Sequence, residues 1–329
     1  MTSQLVALCF DANDPLRLAR FWSGVLGWEM ADDPHDGFTL LPSDDTGFRI
    51  RCLPSEEKKT GQNQMHFDLT RTSLEDQQRT VARSLELGGR HIDVGQRPEE
   101  GHVVLADPEG NEFCVCEPGN NFLADCGFIG ALSSDGSQQV GYFWSEALGW
   151  PLVWDQDQET AIRSPHGGPK ITWGGPPVAL KTGKNRLHFD LAPPAHGDQQ
   201  AEVDRLISLG ASRIDIGQRG VSQVVMADPD GNEFCVLTPD SVTGPGAARL
   251  DPPRGTVRGG LLRPGLCQGR ANPLIKAVRA KSKRAWWSSV APRPSWMAAT
   301  ALGNCSWSSS GAAAAGCRVG RPRPGSGRW

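Results

Sequence analysis

Several things are missing from this chain of 329 residues, and each absence narrows what it is. No apolar run approaches the roughly 18–20 residues of a membrane-spanning helix. The opening MTSQLVALCFDANDP has no basic segment, carries an Asp at position 11 and shows no cleavage pattern, so no secretory leader is expected and the chain is assigned to the cytoplasm. The nine cysteines are odd in number and lack paired metal-type spacings, which fits a reducing compartment better than a disulfide framework. Basic residues are scarce over most of the length. Residues 1–240 hold 19 Lys and Arg against 36 acids, whereas residues 241–329 hold 15 against the single Asp251. An acidic body of this kind is not expected to bind nucleic acid.

What is present, twice, is one phrase. ADPEGNEFCV at 106–115 returns as ADPDGNEFCV at 227–236, with only a Glu-to-Asp exchange. At an offset of 122, Phe21–Trp22 meets Phe143–Trp144, Leu26–Trp28 meets Leu148–Trp150, and His66–Leu69 meets His188–Leu191. IDVGQR from Ile92 likewise meets IDIGQR from Ile214. The chain is a tandem duplication of about 120 residues, a domain length rather than a solenoid repeat. The expected organisation is domain 1 over 1–120, a linker over 121–127, domain 2 over 128–240 and a low-complexity tail over 241–329.

Periodicity within a unit changes in a regular order. LVALCF reads as a strand. Asp14 is placed to cap a helix with Pro15 at its first position, and Leu18, Phe21, Trp22, Val25 and Leu26 fall on one face. FTLLP, FRIRCL and MHFDL read as strands, and in the last of these His66 and Asp68 share a face because side chains alternate. Ser73 caps a second helix whose expected buried stripe is Leu74, Gln78, Val81 and Leu85, ending at Gly88 and Gly89. HVVLA and EFCVCE close the unit as a hairpin across Asp-Pro-Glu-Gly. The residues alone give β-α-β-β twice per unit.

This succession, with FW…LGW ending the first helix, His on the following strand and the DP(E/D)GNEF hairpin, resembles the vicinal oxygen chelate superfamily of glyoxalase I, bleomycin-resistance proteins and extradiol dioxygenases. Within it, the glyoxalase-like domains are the most similar. The resemblance covers Gln4 to about Pro118 and Phe128 to about Pro239. It implies an α+β fold in which paired βαβββ modules curl around a cleft in each of two tandem domains. In metal-using members it implies three ligands: a residue about seven before the Asp that opens the first helix, the His of the HFDL strand, and a Glu just after the hairpin aromatic. Those positions here are Ala7 and Ile129, His66 and His188, and Cys114 and Cys235. Two donors per cleft fall short of the three a catalytic Zn²⁺ takes, and Arg49, Arg51, Lys170 and Thr172 add neither carboxylate nor imidazole. The expectation is therefore no cofactor and no metal site.

His66 and His188 are the candidate catalytic residues, as general acid or base. With them, Asp68, Asp190, Arg51, Cys114, Cys235 and Trp173 are the candidate ligand contacts; Trp154 and Trp173 are singled out because unit one has no aromatic at either place. Each has a packing reading beside the functional one. Half-buried strand cysteines are usually small hydrophobes, and Cys116 gives way to Leu237 in unit two. Trp28, Trp150, Phe21 and Phe143 fit a helix–sheet core. The functional expectation is a metal-independent protein, monomer or homodimer, that binds a small organic molecule and no membrane. The alternative is a lyase or dioxygenase-like enzyme with a non-standard His/Cys metal site. The tail, rich in Arg, Pro, Gly, Ala and Ser without a sustained period, reads as disordered. It is either a basic arm for nucleic acid or the acidic body, or, the preferred reading, a frameshifted extension beyond Asp240.

Overall fold

In the computed structural model, residues 2–96, 100–194, 197–217 and 222–239 are described. The basic tail expected over 241–329 lies outside them. Four modules follow one another along the chain. The first is β1 (Gln4–Ala12), α1 (Pro15–Leu26), β2 (Glu29–Asp33), β3 (Gly37–Leu41) and β4 (Arg49–Pro54). The second is β5 (Met65–Leu69), α2 (Leu74–Glu86), β6 (Arg90–His91), β7 (Val103–Ala106) and β8 (Glu112–Val115). Unit two repeats the pattern with β9 (Ile129–Ser134), α3 (Gln138–Leu148), β10 (Leu152–Gln156), β11 (Glu159–Arg163) and β12 (Lys170–Trp173). It ends with β13 (Leu187–Ala192), α4 (Gln199–Ser208), β14 (Ser212–Arg213), β15 (Val224–Ala227) and β16 (Glu233–Val236). Each module has three strands after its helix. The one that periodicity missed is either largely exposed and polar, as in β2, or only two residues long, as in β6 and β14.

The sheets do not follow the sequence repeat. One has the order β14-β15-β16-β13-β1-β4-β3-β2, the other β10-β11-β12-β9-β5-β8-β7-β6. Each therefore takes the first module of one unit and the second module of the other, joined at the antiparallel pairs β1–β13 and β9–β5. Both units are needed to complete either sheet.

The helices cover one face of each sheet. Asp14 accepts from Arg17 N and Pro15 opens α1, while Gly27, in the left-handed region at φ 73°, ends it. Leu18, Phe21, Trp22 and Leu26 of α1 are buried, as expected. In α2 the expected stripe is rotated: Leu74 and Leu85 are exposed, and the buried positions are Gln77 and Ser84. Gln77 is tolerated there because its amide donates to the carbonyls of Gly101 and Val115, both at 2.9 Å.

The repeated ten-residue phrase has a structural purpose. Asp107, fully buried, accepts from Glu109 N, Asn111 N and Asn111 Nδ2, and from the indole of Trp22 at 3.1 Å. Asp228 does the same for Asp230 N, Asn232 N and the Trp144 indole at 3.2 Å. One carboxylate thus shapes the β7–β8 or β15–β16 hairpin and ties it to the first helix of its own unit.

Candidate functional site

Strand alternation decides what the sheets present to their uncovered faces. Phe67 packs edge-on against Trp22, with ring centroids 5.0 Å apart, and Phe189 against Trp144 at 5.2 Å, both on the helix side. His66 and Asp68, like His188 and Asp190, therefore stand on the opposite face. Register then aligns two equivalent rows across the sheets. One runs Ala31, Thr39, Arg51, Cys9, His188. The other runs Trp154, Ala161, Thr172, Ser133, His66.

A guanidinium dominates the first row. Arg51 donates to both oxygens of Asp33, from Nε and NH2 at 2.7 Å each, and from NH1 to Asp190 Oδ2 at 2.6 Å. Burial alone would raise the Asp33 carboxyl, but hydrogen bonds from Arg51 and the Thr39 hydroxyl hold it well below the usual carboxylate range. The Cys9 thiol donates to Asp190 Oδ2 at 3.1 Å. Burial, reinforced by the Asp190 charge, pushes the Cys9 and Cys235 thiols up, so neither is a ready thiolate. Burial lowers the His188 pKa, and its Nδ1 has no hydrogen-bond partner among the described residues.

The second row carries hydroxyls where the first has a cation. Thr172 Oγ1 donates to Ser133 Oγ at 3.3 Å, Ser133 Oγ to Asp68 Oδ2 at 2.6 Å, and His66 Nε2 lies 3.3 Å from Asp68 Oδ1. Burial would raise the Asp68 carboxyl; His66 and Ser133 more than offset it and leave it lowered. Cys114 sits beside this pair in a small apolar cluster with Cys116, Val104, Val94, Ala131 and Leu123. Phe122 and Leu123 come from the segment between the repeats, so that segment packs onto this face. Lys170 holds it there, bonding the Phe122 carbonyl with its ammonium 4.7 Å from the Phe122 ring centroid. Trp154 meets Phe122 edge-on at 6.0 Å, and its buried indole N–H has no hydrogen-bond partner among the described residues.

Three sequence readings change. Trp173 points the other way: it is 2% exposed within the main core, sharing the helix side with Ile171, and Trp154 is the aromatic on the His66 face. Ile129 is not the counterpart of Ala7. Asp135 is eight residues before Phe143 where Asp11 is ten before Phe21, so the strand-to-helix connection is shorter in unit two; Ala131 therefore opposes Asp68 as Ala7 opposes Asp190, and Ile129 is core. The carboxylate two residues after each His also joins the possible ligand set. Cys9, His188 and Asp190 bring donor atoms within 4.8 Å of one another, as do His66, Asp68 and Cys114. The first trio does not fit a metal, because the Arg51 guanidinium already sits on Asp190 and would repel it. The second has no such cation, and its N, O and S donors match the ligand types Zn²⁺ takes. Sequence reasoning counted Asp68 and Asp190 as ligand contacts but not as metal donors, and it missed Ser133 because that residue comes to His66 from the other unit.

A cavity of about 760 Å³ opens at the strand ends, between the 57–64 and 177–185 loops. His66, Asp11 and Asp135 reach it from the sheets. His188 instead borders a void of about 10 Å³, room for roughly one water.

Two mixed eight-stranded sheets, each built from two βαβββ modules with a His-X-Asp strand on the face away from the helices, make this a tandem vicinal oxygen chelate protein. The chain belongs to the glyoxalase-like domain family, whose model matches residues 7–116 and again residues 131–237. No curated protein matches it. Among solved structures it is similar to glyoxalase I from Zea mays, at 12% identity over 73% of this chain and 94% of that one, with a TM-score of 0.49. It is also similar to a glyoxalase/bleomycin resistance protein from Albidiferax ferrireducens T118, at 16% identity over 34% of this chain and 96% of that one, TM-score 0.28. No helix among the described residues is long and apolar enough to cross a membrane.

Proposed function

We propose that this glyoxalase-like chain binds a small organic molecule in the cavity at the strand ends, without a catalytic metal, and that His66 is a polar contact of that ligand. The observation that carries the reading is a cavity of about 760 Å³ with His66 in its wall, a volume typical of drug-sized ligands. The carboxylates on the two faces are already engaged, Asp190 by Arg51 and Asp68 by His66 and Ser133, which favours binding over metal chemistry. His66, held by Asp68 at 3.3 Å, is also the side chain positioned to hydrogen-bond a ligand from the sheet. His188 borders only the void of about 10 Å³ and keeps a structural part in this reading. A ligand-observed NMR screen of small aromatic and polar molecules should give hits that weaken about tenfold in His66→Ala. Hits indifferent to that change but lost in Trp154→Ala would place the ligand elsewhere and defeat the proposal.

A second reading rests on the His66, Asp68 and Cys114 trio. His66, Asp68 and Cys114 would hold a divalent metal there, which would supply Lewis-acid chemistry of the lyase type, or dioxygenase-like chemistry only with a redox-active ion. Stoichiometric metal in the purified protein, lost in His66→Ala, would install this reading in place of the first.

A further inference from the structure

The two halves of the cavity are equivalent by register and unequal in charge. Asp11 N donates to the carbonyl of Arg186 and Asp135 N to the carbonyl of Gln64, each at 2.8 Å, which equates Asp11 with Asp135 and Arg186 with Gln64. Two residues earlier, Lys184 corresponds to Gln62. The hairpin phrase equates Glu109 with Asp230. In the first half both acids carry a cation: the Lys184 ammonium on Asp11, and Arg186 NH2 on Glu109 at 3.0 Å, with both side chains of the latter pair under a tenth exposed. In the second half the cations are glutamines. Gln64 reaches only the Asp135 main-chain carbonyl, and neither Asp135 nor Asp230 has an ion pair among the described residues.

Asp230 is engaged by the N–H and hydroxyl of Ser137, at 2.6 and 2.8 Å. Asp135 Oδ2 accepts from Ala179 N at 2.7 Å, while its Oδ1 is buried without a partner. Burial raises the Asp135 pKa, and the neighbouring Asp230 charge raises it further, against the Ala179 and Gly136 N–H groups. A half-buried carboxylate with an inaccessible oxygen and no counter-charge is unfavourable. A second feature points to the same end of the cavity. The 177–185 loop that bonds Asp135 exposes Val178 and Leu180, at 39% and 90%, as part of the cavity wall. The other cavity lysines do not compensate: Lys59 and Lys181 are held by Glu112 and Glu233 at 2.6 and 2.7 Å, and Lys58 is exposed.

We propose that the Asp135 end of the cavity is a subsite for a small organic amine. Its ammonium takes the place between Asp135 and Asp230 that Lys184 and Arg186 fill in the other half, and its apolar body lies against Val178 and Leu180. The inference rests on the cavity being the binding site and names the ligand class it takes.

The test titrates the full chain by calorimetry with 2-phenylethylamine, its neutral analogue 2-phenylethanol and the anion 3-phenylpropionate. The amine should bind at least about tenfold more tightly than either, the range of a charge-assisted contact. Asp135→Asn, which keeps an acceptor for Ala179 N, should erase that preference. Gln62→Lys, which builds the missing cation of the other half, should block the amine and leave 2-phenylethanol unchanged. Equal binding of amine and alcohol, unaltered by Asp135→Asn, overturns the ammonium subsite while leaving the cavity as a binding site. A preference for the carboxylate also overturns it, as does silence of all three at millimolar concentration, which leaves the binding reading to the ligand screen.

Discussion

Replacing Arg51 by Met tests whether a guanidinium is the organising charge of the first face. The substitution keeps most of the side-chain volume and removes three charge-assisted hydrogen bonds, two to Asp33 and one to Asp190. Both acceptors are about 2% exposed in their side chains, so neither recovers hydration when its partner goes. Removing one member of a buried ion pair costs about 3–5 kcal/mol, far above the ~1 kcal/mol of an exposed pair. At about 2–4 °C per kcal/mol for a body of this size, melting should fall by roughly 6–20 °C. The loss should also depend on pH. Asp33 titrates in the folded state below its unfolded value, so the stability it contributes is present above about pH 4 and is lost as pH falls further. The gap between parent and variant should therefore be widest at neutral pH and close in acid. Urea unfolding followed by tryptophan fluorescence at neutral and acidic pH measures both quantities. A loss under about 1 kcal/mol, or a gap that does not narrow in acid, would show that Asp33 and Asp190 are satisfied without Arg51 and that the account of this face is wrong.

Asp107→Asn should cost about 2–4 kcal/mol, because an amide nitrogen would then face the donors of Trp22 or Asn111; Asp228→Asn should cost a similar amount, and denaturant midpoints within error of the parent would refute the proposed tie. Because burial lowers the folded pKa of His188, the stability it confers is present above about pH 6.5 and declines as pH falls below that value. His188→Gln should flatten this limb of the stability profile, and an unchanged slope would mean that the imidazole is not desolvated in the folded state.

Much of the architecture was legible in one dimension. Residue spacing alone exposes the duplication, the cap at Asp14, the buried face of α1 and the split of His66 and Phe67 to opposite sides of a strand, because these depend on local periodicity and turn chemistry. The rotated face of α2 was not legible. Gln77 is buried because two distant carbonyls, of Gly101 and Val115, receive its amide, which outweighs the apolar stripe. Trp173 and Trp154 are both aromatics on unit-two strands, and only the strand pairing tells which of them shares a face with His66.

The sequence by itself determined the family, the repeat and the polar strand of each cleft, since near-identical phrases fold into near-identical hairpins wherever they occur. Tertiary structure alone decided which module completes which sheet, and hence which residues meet. Arg51 and Asp190 are 139 positions apart and come from different repeats, yet they share a part-buried bond at 2.6 Å. Asp11 and Asp135 look alike in sequence, but one finds a lysine and the other a glutamine only after the halves exchange partners. Hydrogen bonding between β1 and β13 and between β9 and β5 makes those pairings, and no local pattern in either strand specifies its partner across the repeat.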